Sequence, residues 1–175
     1  MKGWNSGSMR ASSQVPSPQM TWLAHSSVAT VVEKDGLFLM VEEIVDEPPH
    51  AGRTVFNQPA GHLEEHETLF EAAVRETLEE SGWHVELTDF LGLYHYPAPN
   101  GVTYIRHCFV ARPLRHDSTR KLDTGIVAAH WLSADTILAP GFNARSPIVG
   151  RVLQDYLRGT RYPLSLIYHH GSTRE

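Results

Sequence analysis

The chain has 175 residues, 41% of them hydrophobic, enough for one domain with a buried core. Its formal charge of −5 gives no basic footprint for a nucleic-acid polymer, and no stretch approaches the ~20 apolar residues of a membrane span. The single cysteine, Cys108, can form no internal disulfide and no charged-then-apolar leader opens the sequence, so a cytoplasmic monomer acting on a small molecule is the expectation.

Residues 1–21 are rich in Ser, Gly, Pro, Gln and Asn and poor in apolar side chains, which predicts a disordered tail before a domain over 22–168. Ser27–Val32 and Leu37–Val41 are apolar runs around the turn signal Lys34-Asp35-Gly36, predicting a hairpin of buried strands closed by Glu42 and Glu43. Asp46–Arg53 reads as a loop. Val55–Pro59 reads as a short extended segment, because Pro59 biases Gln58 away from helix. Further on, Val85–Tyr96 predicts a strand interrupted at Gly92, Pro97–Gly101 a turn, and Val102–Ala111 the returning strand. Ile126–Leu132 predicts a last strand and Ser133–Thr136 the start of a short helix. Pro147–Arg158 fits a helix opened by Pro and followed by Gly159, and residues 169–175 read as a tail.

The stretch Gly61–Trp83 breaks this ordinary pattern. From Glu64 to Glu80 it holds seven glutamates against one arginine. Thr68 and Glu71 fit a capping box, and Gly82 stands where a left-handed C-terminal residue belongs, so a helix is predicted over Leu69–Ser81. At about 100° per residue, Glu76, Glu79 and Glu80 share an arc with Leu69, Ala72 and Ala73, while Phe70, Val74 and Leu78 form a second apolar stripe. Solvated helix faces mix charge signs, whereas Glu76 and Glu80 form a repelling i,i+4 pair with Glu79 beside them. Carboxylates clustered beside an apolar face suit a hard divalent cation. Mg²⁺ is the expected ion, with Mn²⁺ as the alternative.

Gly61, five residues, Glu67, seven residues, then Arg75-Glu76-Thr77-Leu78-Glu79-Glu80-Ser81-Gly82-Trp83 resembles the Nudix box with every fixed position filled. Thr77 stands where an aliphatic residue is common. The flanks Val41-Glu42-Glu43, Phe56–Glu64, Arg145-Ser146-Pro147 and Arg161–Leu164 resemble the NudJ-type phosphatases within that family, including Ala60 before the box glycine. The resemblance implies an α/β fold, the Nudix-type α/β/α sandwich with a mixed β-sheet. It also implies hydrolysis of nucleoside di- and triphosphates or of hydroxymethylpyrimidine diphosphate.

By the same resemblance Glu76, Glu79 and Glu80 ligate Mg²⁺, helped by a backbone carbonyl near Ala60 or Gly61, and Arg75 with Glu67 forms a supporting ion pair. Glu80 is the first choice of general base; Asp123 is the alternative acid, although Gly125 stands where that loop would carry another. Arg106 is the candidate for substrate phosphate, or else a solvent-facing strand residue. Gln58, Glu42 and Glu43 are candidates for the substrate's ring, Arg145 matches a subgroup position, and Cys108 reads as a small core residue. Other readings are a pyrophosphatase of ADP-ribose or oxidised nucleotides, and a non-catalytic nucleotide-sensing module. Such modules lack box carboxylates that this chain retains.

Overall fold

A computed structural model describes residues 22–46, 51–159 and 161–170. The N-terminal tail expected over 1–21, residues 47–50 of the Asp46–Arg53 loop and the last five residues lie outside these. Seven strands run β1 (His25–Lys34), β2 (Leu37–Val45), β3 (Arg53–Asn57), β4 (Ala60–His62), β5 (Trp83–Pro97), β6 (Thr103–His116) and β7 (Ile126–Ser133). Helix α1 (Leu69–Ser81) lies between β4 and β5, while α2 (Ala134–Leu138) and α3 (Pro147–Leu157) follow β7.

The sheet is mixed, in the order β3-β2-β1-β6-β5, with β4 added to β1 and β7 to β2. The β1–β2 turn uses left-handed conformations at Asp35 and Gly36 (φ 53° and 78°). Past Glu33–Lys34 the two strands separate. Along His25–Val32, β1 pairs in parallel with β6, and along Ser27–Ala29 antiparallel with β4, whereas β2 pairs with β3 and β7. This divergence leaves a cleft beside the start of β1. Strand β4 was not foreseen: three residues ending in a polar loop carry too little periodicity to announce a strand. Strand β6 runs five residues past the expected Ala111, and β5 crosses three register shifts, the last between Phe90 and Gly92 near the anticipated interruption.

Alternation along β1 divides the core. Val28 faces Ala72 and Ala73 of α1 together with Phe90 and Phe109, while Ala29 and Val31 face α2 and α3 through Ile137, Ile148, Val149, Val152 and Leu153. Helices therefore cover both faces of the sheet, giving an α/β/α sandwich. Two consecutive alanines on α1, both at most 1% exposed, let the helix backbone come close to the strands. Cys108 is fully buried in the α3-side cluster, where burial pushes its thiol up to about 12, so it is a core residue. Just beyond Tyr168, His169 packs edge-on against Phe70 with centroids 4.7 Å apart.

Candidate active site

Helix α1 starts and stops as its sequence directs. Thr68 Oγ1 accepts from the Glu71 amide at 3.1 Å, and Glu71 Oε2 accepts from the Thr68 amide at 2.8 Å; at the other end Gly82 is left-handed, with φ 71°. With the helix ends fixed, the phase of its glutamates follows. Beyond Ala72 and Ala73 the same side of the helix runs past the edge strand β4, so Glu76 and Glu80 reach around the sheet into the cleft.

There they line a cavity of about 400 Å³, with Ala60 and Gly61 of β4, Ser27 of β1, Glu43 of β2, Arg106 of β6 and Arg145. Glu80 Oε2 accepts a hydrogen bond from the Ala60 amide at 2.8 Å. A Cβ on residue 61 would stand 2.0 Å from Glu76 Cδ, so only glycine permits this approach. Burial is the largest effect on both acids: it raises Glu76 and pushes Glu80 up to about 8, with neighbouring carboxylates raising each further.

Arg75 organises the loop between β4 and α1. Its Nε and Nη2 donate to the two oxygens of Glu67 at 2.9 and 2.7 Å, Nη2 also donates to the His62 carbonyl at 3.0 Å, and Nη1 donates to Glu76 and Glu79 at 2.8 and 3.0 Å. Glu67 closes the loop by accepting the Glu64 amide at 2.7 Å. The guanidinium is held above its usual range, chiefly by Glu67.

All the prospective cation donors are hard oxygens, and buried carboxylates that raise one another's affinity for protons are the environment a divalent cation relieves. Glu43 adds a buried oxygen, Oε1, without a partner. The residues present therefore fit Mg²⁺ or Mn²⁺ in kind. Among the described residues, however, no three acidic, His or Cys side chains stand in a metal-holding arrangement. Arg75 bonds one oxygen each of Glu76 and Glu79, and Glu79 also lies 3.6 Å from Arg120, outside the cavity lining.

The NUDIX domain family model matches residues 23–151. The chain belongs to the Nudix hydrolase family. It is 39% identical over 143 residues to "Phosphatase NudJ" of Escherichia coli K12, covering 82% of this chain and 90% of that protein, and equally to the Shigella flexneri phosphatase. A NUDIX hydrolase from Nitrosomonas europaea is 41% identical with a TM-score of 0.79, across 85% of this chain and 98% of that one. A MutT protein from Methanosarcina mazei Go1, 20% identical across 78% of this chain and 96% of its own, shares the fold with a TM-score of 0.62. As a Nudix hydrolase, the protein is an enzyme acting on phosphoric anhydrides.

Of the residues singled out from sequence, this Nudix cavity brings together Gly61, Glu76, Glu80, Glu43 and Arg106. Arg106 is no solvent-facing strand residue: its Nε is closed off from water without a partner, and Nη1 lies 3.4 Å from Asn57 Oδ1. Gln58 and Glu42 lie outside the lining. Gln58, 3% exposed, donates to the Val149 carbonyl at 2.9 Å, while Glu42 meets His130 Nε2 at 2.8 Å. Asp123 binds the Glu79 carbonyl through its amide at 3.1 Å and adds negative charge near Glu76 and Glu80.

Sequence reasoning missed the cross-chain partners. Arg145 Nη1 bonds Glu43 Oε2 at 2.6 Å across 102 positions of sequence, and Tyr96 and Tyr104 enter the cavity from strands where they resemble ordinary β-sheet residues. Only the register of β6 on β1 and β5, which no local pattern encodes, places Ser27, Arg106 and the tyrosines on one surface.

Proposed function

We propose that this enzyme removes a phosphate from nucleoside di- and triphosphates or from a pyrimidine diphosphate such as hydroxymethylpyrimidine diphosphate, by attack of water on phosphorus with Mg²⁺ as cofactor. The observation that carries this reading is the make-up of one cavity: Glu76 against Gly61 and Glu80 bonded to the Ala60 amide share its lining with Arg106 and Arg145. A diphosphate needs both, cations for its oxygens and a carboxylate region able to receive a proton. The similar E. coli protein named as a phosphatase supports a terminal phosphate as the group removed.

Glu76, Glu80 and, after its release from Arg75, Glu79 would hold the cation, with the Ala60 or Gly61 carbonyl beside them. The cation would neutralise phosphate oxygens and acidify water at the site. Glu80 is the first choice of general base: burial raises its proton affinity and the Ala60 amide fixes one of its oxygens. Arg106, which lines the cavity, would donate to phosphate oxygen through its guanidinium, and Arg145, anchored by Glu43, stands in the same lining. Arg75 and Glu67 act through position, holding the loop that carries Gly61.

Assay of GDP, GTP, hydroxymethylpyrimidine diphosphate and ADP-ribose with Mg²⁺ tests the reading, with orthophosphate and pyrophosphate followed separately. Orthophosphate from GDP or the pyrimidine diphosphate is the expected result. Turnover confined to ADP-ribose would overturn it.

A further inference from the structure

Across the sheet, the register aligns His62, Ser27, Arg106 and Tyr94 in one row, and His25, Tyr104 and Tyr96 in the adjacent row, with Ser27, His62, Arg106, Tyr96 and Tyr104 in the cavity lining. Tyr104 and Arg106 are two residues apart on β6 and therefore share a face, separated by about 7 Å along the strand. A ribose bridges a gap of that order between a phosphate and a ring.

The second row is aromatic and braced. Tyr104 packs edge-on against His25, with centroids 5.8 Å apart and planes at 71°, and is tilted against His62 at 6.1 Å; His25 and His62 pack on each other at 5.8 Å. Three rings in mutual contact fix the orientation of Tyr104, so little conformational freedom remains to be lost when a ligand settles on it. Tyr96, its cross-strand register partner, lines the same opening, as do Ala98, Pro99 and Asn100 of the β5–β6 turn. Below this layer, the buried Ser27 Oγ has no hydrogen-bond partner.

We propose that Tyr104, braced by His25 and His62, is the stacking platform for the heteroaromatic ring of the substrate and determines specificity for ring-bearing diphosphates over simple ones. The inference rests on the diphosphate reading above and adds to it the residue that selects the organic end. An aromatic face accepts any purine or pyrimidine, so a broad range of heterocycles is expected at this site, with Ser27 Oγ offering a polar contact beneath the rings.

The test is calorimetric binding, with Mg²⁺, of two non-hydrolysable ligands to the full chain: α,β-methylene guanosine diphosphate and methylenediphosphonate, which has no ring. Tyr104→Leu is expected to weaken the nucleotide analogue about tenfold and leave methylenediphosphonate within twofold. Tyr104→Phe retains the ring and is expected to bind both as the parent does, which separates stacking from loss of packing. Equal weakening of both ligands, or of neither, by Tyr104→Leu would overturn the proposal. If the parent bound neither ligand, the diphosphate reading itself would fail, and this inference with it; binding of both without dependence on Tyr104 would remove only the platform.

Discussion

Gly61 and Glu76 are in closer contact than any other residue type at position 61 permits: an added Cβ would lie 2.0 Å from both Cδ and Oε1 of the carboxylate. The carboxylate cannot simply swing away, because Arg75 Nη1 holds its Oε1 at 2.8 Å. Gly61→Ala is therefore expected to cost about 1–3 kcal/mol of stability as an overpacked contact, and to lower kcat/KM with Mg²⁺ by at least about 100-fold through displacement of Glu76. Thermal unfolding and steady-state kinetics on GDP check the two effects. Retention of parental activity would show that Glu76 is not held at the reacting centre.

Arg75 is expected to resist its most conservative replacement. Lysine keeps the charge but loses the fork that engages both oxygens of Glu67 while reaching Glu76, Glu79 and the His62 carbonyl. Glu67 has a side chain only 8% exposed, so its unmet oxygens are costly. Arg75→Lys should lower stability by about 1–3 kcal/mol and kcat about tenfold or more. Denaturant unfolding beside kinetics distinguishes this from a surface ion pair, for which neither quantity would move appreciably.

Glu80 gives a pH dependence with a definite sign. Its folded-state value, about 8, lies above the ordinary 4.5, so the native state binds the proton more tightly than the unfolded chain. The resulting stabilisation is complete below about pH 4.5 and is lost as pH rises through about 8. In the presence of a chelator, Tm should fall between pH 5 and 8.5, and Glu80→Gln should flatten that slope and raise Tm at the alkaline end. The amide can still accept from Ala60 N–H. Added Mg²⁺ should raise the parent's Tm at pH 8.5 more than the variant's. Identical slopes with and without Glu80 would contradict this assignment.

The box was legible in sequence because its determinants are local. A capping box, a C-terminal glycine and a helical period set the phase of Glu76 and Glu80, and helix α1 carries that phase unchanged into the folded protein. The hairpin at Asp35-Gly36 was legible for the same reason. Glu79 departed from expectation because helical phase says nothing of the neighbouring Arg75 and Arg120 that hold it aside. Gln58, a candidate for the substrate's ring, lies outside the cavity lining and donates its amide to a carbonyl 91 positions away, a contact no local pattern announces. Arg106, Glu43 and Arg145 were named from sequence, but how they come together was not legible there. Arg106 and Arg145 acquire their positions from strand register and from the Phe56–Arg145 backbone contact, both non-local.

Thr77 shows how such a non-local contact explains a local departure from pattern. Its hydroxyl donates to the Ala73 carbonyl at 2.7 Å, which uses its only proton, so at the 2.7 Å contact with Thr30 Oγ1 it is Thr30 that donates. Both residues are fully buried between α1 and β1. An aliphatic residue at 77 would leave the Thr30 hydroxyl with a proton and no acceptor. Loss of Thr30 would leave Thr77 still bonded to Ala73. Thr77→Val is therefore expected to destabilise by about 1–3 kcal/mol and Thr30→Val by less. The Thr30→Val/Thr77→Val double variant should recover most of the Thr77→Val loss, since two apolar groups of the same shape replace a satisfied pair. A double-mutant cycle in denaturant measures the coupling, and additive losses would show that the two hydroxyls do not depend on each other. Activity should persist in the double variant, because the pair supports the helix from its sheet side and leaves Glu76 and Glu80 on the cavity side untouched.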